Sequence, residues 1–164
     1  MLKKNKPPYT NKATLDKMAR WARHDEENLV EIRREMDSVD EEVRDLIKQI
    51  KRAAGKGDAH TARELLRNVK NAFFNSLSLI ADLEELKTSV TAHKEMSLYY
   101  ADSMLNSLSV LSGNELEEER KHLDVLPDFI LEDNERLNRI EGAMHTAQLI
   151  KMSTTIANRE AGKA

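Results

Sequence analysis

Apolar residues recur along the first third of the chain in steps of three and four: Leu29, Ile32, Met36, Val39, Val43, Leu46, Ile50 and Ala53, preceded by Leu15, Met18 and Ala22. Such alternation is the a/d seam of a coiled coil and predicts one long helix. Asp25 is a polar position on this seam, and Trp21 lies off it, as a second contact or a cover for the helix end. A helix from about Thr14, capped by Thr14 or Asn11, to Ala54 spans roughly 60 Å. A second stripe follows through Leu65, Val69, Ala72, Ser76, Leu79, Leu83, Leu86, Val90, His93, Ser97, Tyr100, Met104, Ser107 and Leu111. It predicts a helix from Ala59 to Leu111, roughly 80 Å long. After Val90 the seam residues become smaller and more polar, which places an expected hinge near residue 93.

Between the stripes stands Gly55-Lys56-Gly57-Asp58. Glycine readily adopts the left-handed conformation that ends a helix, and Asp58 is a good cap for the amides of His60 and Thr61. The two helices are therefore expected to fold back on each other. Ser112-Gly113-Asn114 is a second stop and cap. A short charged helix is expected from Glu115 to Asp124, ended by Pro127. A fourth amphipathic helix is expected from Asp128 to about Asn158 through Phe129, Ile130, Leu137, Ile140, Met144, Ala147 and Ile150 or Lys151. The fold class is all-α: a long antiparallel helical hairpin followed by a short helix and a longer C-terminal helix. The expected organisation is a basic flexible arm over 1–12, the hairpin over 13–112 with its tip at 55–58, the two later helices over 113–158, and a frayed tail over 159–164.

Composition agrees with long helices: charged residues make up 34% of the chain, with 5 glycines and 3 prolines. Net charge is −3, which does not point to nucleic acid. Its distribution is uneven. Residues 1–12 carry Lys3, Lys4, Lys6 and Lys12 and no acid, whereas residues 114–164 carry 11 acidic and 7 basic residues. The arm is either a polar tail or a membrane contact, in which Leu2 dips into the interface while Lys3, Lys4 and Lys6 meet anionic lipid at about 1 kcal/mol each. Lys51, Arg52 and Lys56 make the tip basic. The absence of cysteine excludes disulfides and thiolate chemistry. No apolar stretch is long enough to span a bilayer, and the expected location is cytoplasmic and peripheral to membranes.

The order of elements resembles the ESCRT-III family of membrane-remodelling proteins. The likeness is closest in Ile47-Lys-Gln-Ile-Lys-Arg-Ala-Ala-Gly-Lys-Gly-Asp58 and in Ala62-Arg63-Glu64-Leu65-Leu66-Arg67, which is similar to the family's isoleucine-lysine run, glycine turn and alanine-arginine pair. Leu83, Leu86 and Val90, then Ala101, Met104 and Leu108, fall where the family has its leucine-valine and alanine/methionine positions. Glu132 to Met144 resembles its acidic, methionine-bearing later helix. The likeness covers residues 15–145. It departs in the first helix, usually strongly basic, since residues 13–58 hold 10 basic and 12 acidic residues. It departs again in the ATPase-recruiting motif, of which Leu131, Arg136-Leu137 and Ile140 are a partial and early match. The resemblance implies a non-enzymatic subunit, without cofactor, that polymerises into filaments on anionic membranes, with related subunits and an ATPase as partners. Self-assembly would join Lys51, Arg52 and Lys56 to Glu132, Asp133 and Glu135 of a neighbour.

Two other classes stand beside it. One is a soluble helical adaptor or regulatory bundle that binds a partner protein through its seam. The other is a metal-carboxylate or phosphate-signalling bundle of the PhoU type, built on Asp40-Glu-Glu-Val-Arg-Asp45 and Asp82-Leu-Glu-Glu85, whose plainer reading is a solvated helix face. Glu119-Arg-Lys-His122 has the Glu-x-x-His spacing of di-iron bundles, which need two such motifs. His93 is the one histidine on an apolar seam, and a satisfied helix histidine accounts for it.

Overall fold

The computed structural model describes residues 12–164. Three helices account for nearly all of them: α1, Lys12–Gly55; α2, Ala59–Ser107; and α3, Gly113–Ala161. A single 3₁₀ turn, Leu108–Val110, follows α2. The protein is all-α, with α1 and α2 forming the expected helical hairpin. The contacts divide the described chain into two compact units. The first comprises 12–28 and 86–138, and the second comprises 29–85 and 139–164. Each unit takes one segment from each helix.

The turn between α1 and α2 is fully accounted for by backbone bonds. Gly57 has φ 69°. Asp58 N–H donates to the Ala53 carbonyl at 2.9 Å and Gly57 N–H to Ala54 at 3.0 Å, the paired bonds of a Schellman C-cap. The same Asp58 opens α2. One carboxylate oxygen accepts from the Thr61 amide at 3.1 Å and the other from the Thr61 hydroxyl at 2.7 Å. These bonds, the hydroxyl's first, hold the Asp58 carboxyl below its ordinary pKa.

In the second unit the seam positions of α1 and α2 meet as the periodicity requires. Leu29, Met36, Val43 and Ile50 of α1 and Val69, Leu79 and Leu83 of α2 are buried, as are Ile140, Ala143, Ala147 and Ile150 of α3. Apolar packing of this kind contributes roughly 1.5–3 kcal/mol per fully buried large side chain. The core of the first unit is smaller. Met18, Tyr100, Met104 and Leu126 form it, with Leu15, Trp21, Ala101, Leu123 and Phe129 packed against them.

Three local expectations are corrected. Pro127 does not end a helix: it lies inside α3, which runs unbroken for 49 residues in place of the short and longer helices expected over 113–158. Pro127 is exposed while its neighbour Leu126 is 1% exposed, so the ring lies on the solvent side of α3 and the core contact of Leu126 is kept. Tertiary packing thus overrides a local break. The expected hinge near residue 93 is likewise absent, because α2 is continuous through Ser107. The tail expected to fray over 159–164 is helical to Ala161 and closed by turn bonds from Gly162, Lys163 and Ala164. Replacing Pro127→Ala restores the backbone bond and is expected to stabilise the protein by about 2 kcal/mol, the helix-interior cost of proline less its effect on the unfolded chain. Equilibrium urea unfolding measures it, and an unchanged or lower midpoint would show that the proline is accommodated without cost.

Candidate functional site

Two groups of residues stand out, one in each unit. The first is the hairpin tip. Lys51, Arg52 and Lys56 are all exposed, as are Lys48, Arg63, Arg67 and Lys70 nearby in sequence. Against these 7 cations, residues 47–70 contain only Asp58 and Glu64 as acids. Asp58 is committed to capping, and Glu64 pairs with Arg67 at 3.5 Å. Lys51 also acts on Glu160 at the end of α3. The Glu160 carboxyl is held below its ordinary value, first by a hydrogen bond from Lys163 and to a smaller degree by Lys51. The tip is thus a strongly basic, solvated surface with little local compensation.

The second group is a polar layer inside the first unit. Asp25, on the α1 seam, is 0% exposed. Its carboxylate accepts from the Ser89 hydroxyl at 3.0 Å and from Nδ1 of His93, both on α2. The imidazole must donate here, since a carboxylate only accepts. Trp21 stacks on the His93 ring at 4.8 Å between centroids and 7° between planes, and the Lys17 ammonium lies 5.1 Å from the Trp21 ring. Trp21 thereby finds its contact within the unit. From α3, Arg136 spreads its guanidinium over three acids: Asp133 at 2.9 Å, Glu26 of α1 at 3.1 Å and Glu132 at 3.3 Å. Arg136 and Asp133 are both buried.

Burial pushes the Asp133 carboxyl above the ordinary aspartate value; Arg136 opposes this by charge and hydrogen bonding, and Asp25 adds to it. A raised value means that the folded state favours the protonated acid. The stability linked to Asp133 is therefore fully present below the ordinary aspartate range, near 3.8, and is lost as pH rises through the raised value. Urea unfolding of the wild type and Asp133→Asn across pH 3–7 is expected to show the difference moving against the wild type as pH rises. A flat difference, or one moving the other way, would contradict the assignment.

Of the expected self-assembly acids, Glu135 is exposed, Glu132 is exposed but bound to Arg136, and Asp133 is turned inward. Asp133 is therefore not on a surface that a neighbour reaches in this structure, because the buried guanidinium holds it. The partial ATPase-recruiting match is also split: Leu131 is exposed, whereas Arg136 and Ile140 are in the core. Leu2, Lys3, Lys4 and Lys6 lie outside the described residues.

Ser89, Asp25 and His93 bring together the residue types of a hydrolytic triad, but not its geometry. The serine donates to the aspartate, and no bond joins serine to histidine, so no base activates the hydroxyl. Glu119 is 3% exposed and touches His122 at 3.3 Å, giving one Glu-x-x-His contact. Among the described residues, no group of three or more His, Asp or Glu side chains is placed to hold a metal ion. No helix among them is long and apolar enough to cross a membrane.

The seam of α3 explains what the sequence reading missed. Asp133, Arg136, Ile140, Ala143, Ala147 and Ile150 are the buried positions, again in steps of three and four. The stripe read from the sequence holds at Ile140, Ala147 and Ile150, and lies one residue off at Leu137 and Met144, where Arg136 and Ala143 are the buried positions. Comparison with known protein families, curated proteins and solved structures finds no match to any of them.

Proposed function

We propose that the chain is a non-enzymatic, self-assembling subunit that forms filaments on anionic membranes, in the manner of the ESCRT-III family it resembles. The observation that supports this reading is the hairpin tip, where a two-helix turn presents Lys51, Arg52 and Lys56 to solvent with scarcely any local counter-charge. A surface of this kind attracts either an anionic bilayer or an acidic neighbour, and Glu132 and Glu135 on α3 offer the matching sign. Each exposed pair contributes up to about 1 kcal/mol, and repetition along a polymer sums them. Related subunits and an ATPase are the further partners of this reading.

The test is co-sedimentation of the full chain with vesicles of neutral or acidic lipid, followed by electron microscopy. Filaments or tubules dependent on acidic lipid are the expected result. A monodisperse species indifferent to lipid would sink the proposal. It would favour the second reading, a soluble adaptor, for which the observation is the set of exposed apolar side chains on and just after α2 in the first unit: Leu98, Tyr99, Leu105 and Val110.

A further inference from the structure

We infer that the buried ionic layer of the first unit selects the register in which α3 closes on the other two helical segments, and rejects alignments displaced by one heptad. The inference does not depend on the filament reading.

A heptad seam is ambiguous by construction. Apolar burial is non-directional, so a helix moved by seven residues brings one apolar seam residue to the place of another. On α3, Phe129 or Ala143 would take the place of Arg136, and Leu126 or Ile140 the place of Asp133. These are seam or near-seam residues, and the same displacement carries Asp133 and Arg136 to the places of Leu126 and Phe129 or of Ile140 and Ala143. The tight turn at Gly57 fixes α2 against α1 independently. No comparable turn fixes α3: between α2 and α3 stand the 3₁₀ turn Leu108–Val110 and two further residues, closed by a bond from Leu111 N–H to Leu108 at 3.4 Å. A slip of α3 by unwinding a turn or two at this junction is the alternative the chain must exclude.

The ionic layer excludes it because its bonds are directional and its central groups, Asp25, Asp133 and Arg136, are buried. Arg136 reaches Glu26 on α1 at 3.1 Å while holding Asp133 at 2.9 Å on its own helix, and Asp133 in turn lies near Asp25 and His93. In either displaced register Glu26 faces an apolar side chain, and Arg136 and Asp133 move away together from Glu26, into places that apolar side chains fill in the observed register. Breaking one partner from a buried charge pair is far more costly than exchanging one apolar contact for another, which is how single buried polar positions fix register in coiled coils.

The chain contains no cysteine, so spin labels go on by adding two. Arg23→Cys on α1 and Asn138→Cys on α3 are both exposed positions in the first unit. Pulsed dipolar spectroscopy on the labelled full chain reads their separation, and a one-heptad slip shifts it by up to about 10 Å. The wild-type layer is expected to give one distance. In a background carrying Asp25→Leu, His93→Leu, Asp133→Leu and Arg136→Leu, folding persists and a displaced population rises at least about tenfold. A single unshifted distance in that background would overturn the inference and leave register to the junction and apolar seam. Should the fourfold variant not fold, Asp133→Leu with Arg136→Leu alone is read by the same criterion.

Discussion

Arg136→Leu is expected to destabilise the protein by about 3–5 kcal/mol, the range for removing one partner of a buried charge pair. The guanidinium is 7% exposed and makes close contacts to Asp133, Glu26 and Glu132. The three acids differ in what its loss does to them. Glu132 and Glu26 have side chains 55% and 37% exposed, and can turn to water. Asp133, 5% exposed, cannot. Its carboxylate would stay buried near that of Asp25, and the fold would have to protonate it, admit water or open locally. The double variant Asp133→Leu with Arg136→Leu removes the orphan and is expected to recover most of the loss, since apolar replacement of a whole buried pair is often neutral or stabilising. Denaturant unfolding of the two single variants and the double forms a cycle that isolates the coupling. Additive losses in that cycle would mean that the pair is not coupled as its geometry indicates.

The second large effect concerns the proposed assembly rather than folding. Lys51→Glu with Arg52→Glu reverses two charges at the basic hairpin tip, where both side chains are exposed. Each reversal turns an attraction of up to about 1 kcal/mol into a comparable repulsion, so the pair is expected to weaken subunit or membrane association by up to about 4 kcal/mol. Helicity should be unaffected, because neither side chain contributes to the core. Raising the salt from about 50 to 300 mM should weaken wild-type assembly in the same direction, as screening shortens the reach of exposed charges. Sedimentation with acidic vesicles and light scattering measure the effect. Unchanged assembly in the reversed variant would remove the tip from the mechanism.

How much of this was legible depended on whether a signal was local and apolar. The seams of α1 and α2 were read from Leu, Ile, Val, Met and Ala at heptad steps, and nearly every position so read in the second unit is buried. The tip was legible for a similar reason: glycine, aspartate and the cations around them act within one turn of backbone. α3 was harder. Pro127 is a strong local signal for a break, and it was outweighed by Leu126 and the packing around it, which no local pattern displays. Asp133 is read from the sequence as a self-assembly acid and Arg136 as part of a recruiting motif, both surface roles, because they are charged. That they lie inside becomes apparent only when Glu26, 110 residues away, is placed beside them. Asp25 and His93 were each visible as polar positions on an apolar seam, yet 68 residues separate them, and their pairing is a property of the folded hairpin alone.

The turn between α1 and α2 has a mechanical consequence. Asp58 closes one helix with its amide and opens the next with its carboxylate, so no slack residue lies between the two. A pull on this turn is carried by the backbone and by the bonds that Lys56, Gly57 and Asp58 make to α1, with only these three residues between the helices to take up extension. Such a joint transmits force instead of absorbing it. To lengthen under load, the hairpin would first have to unwind a turn of one helix.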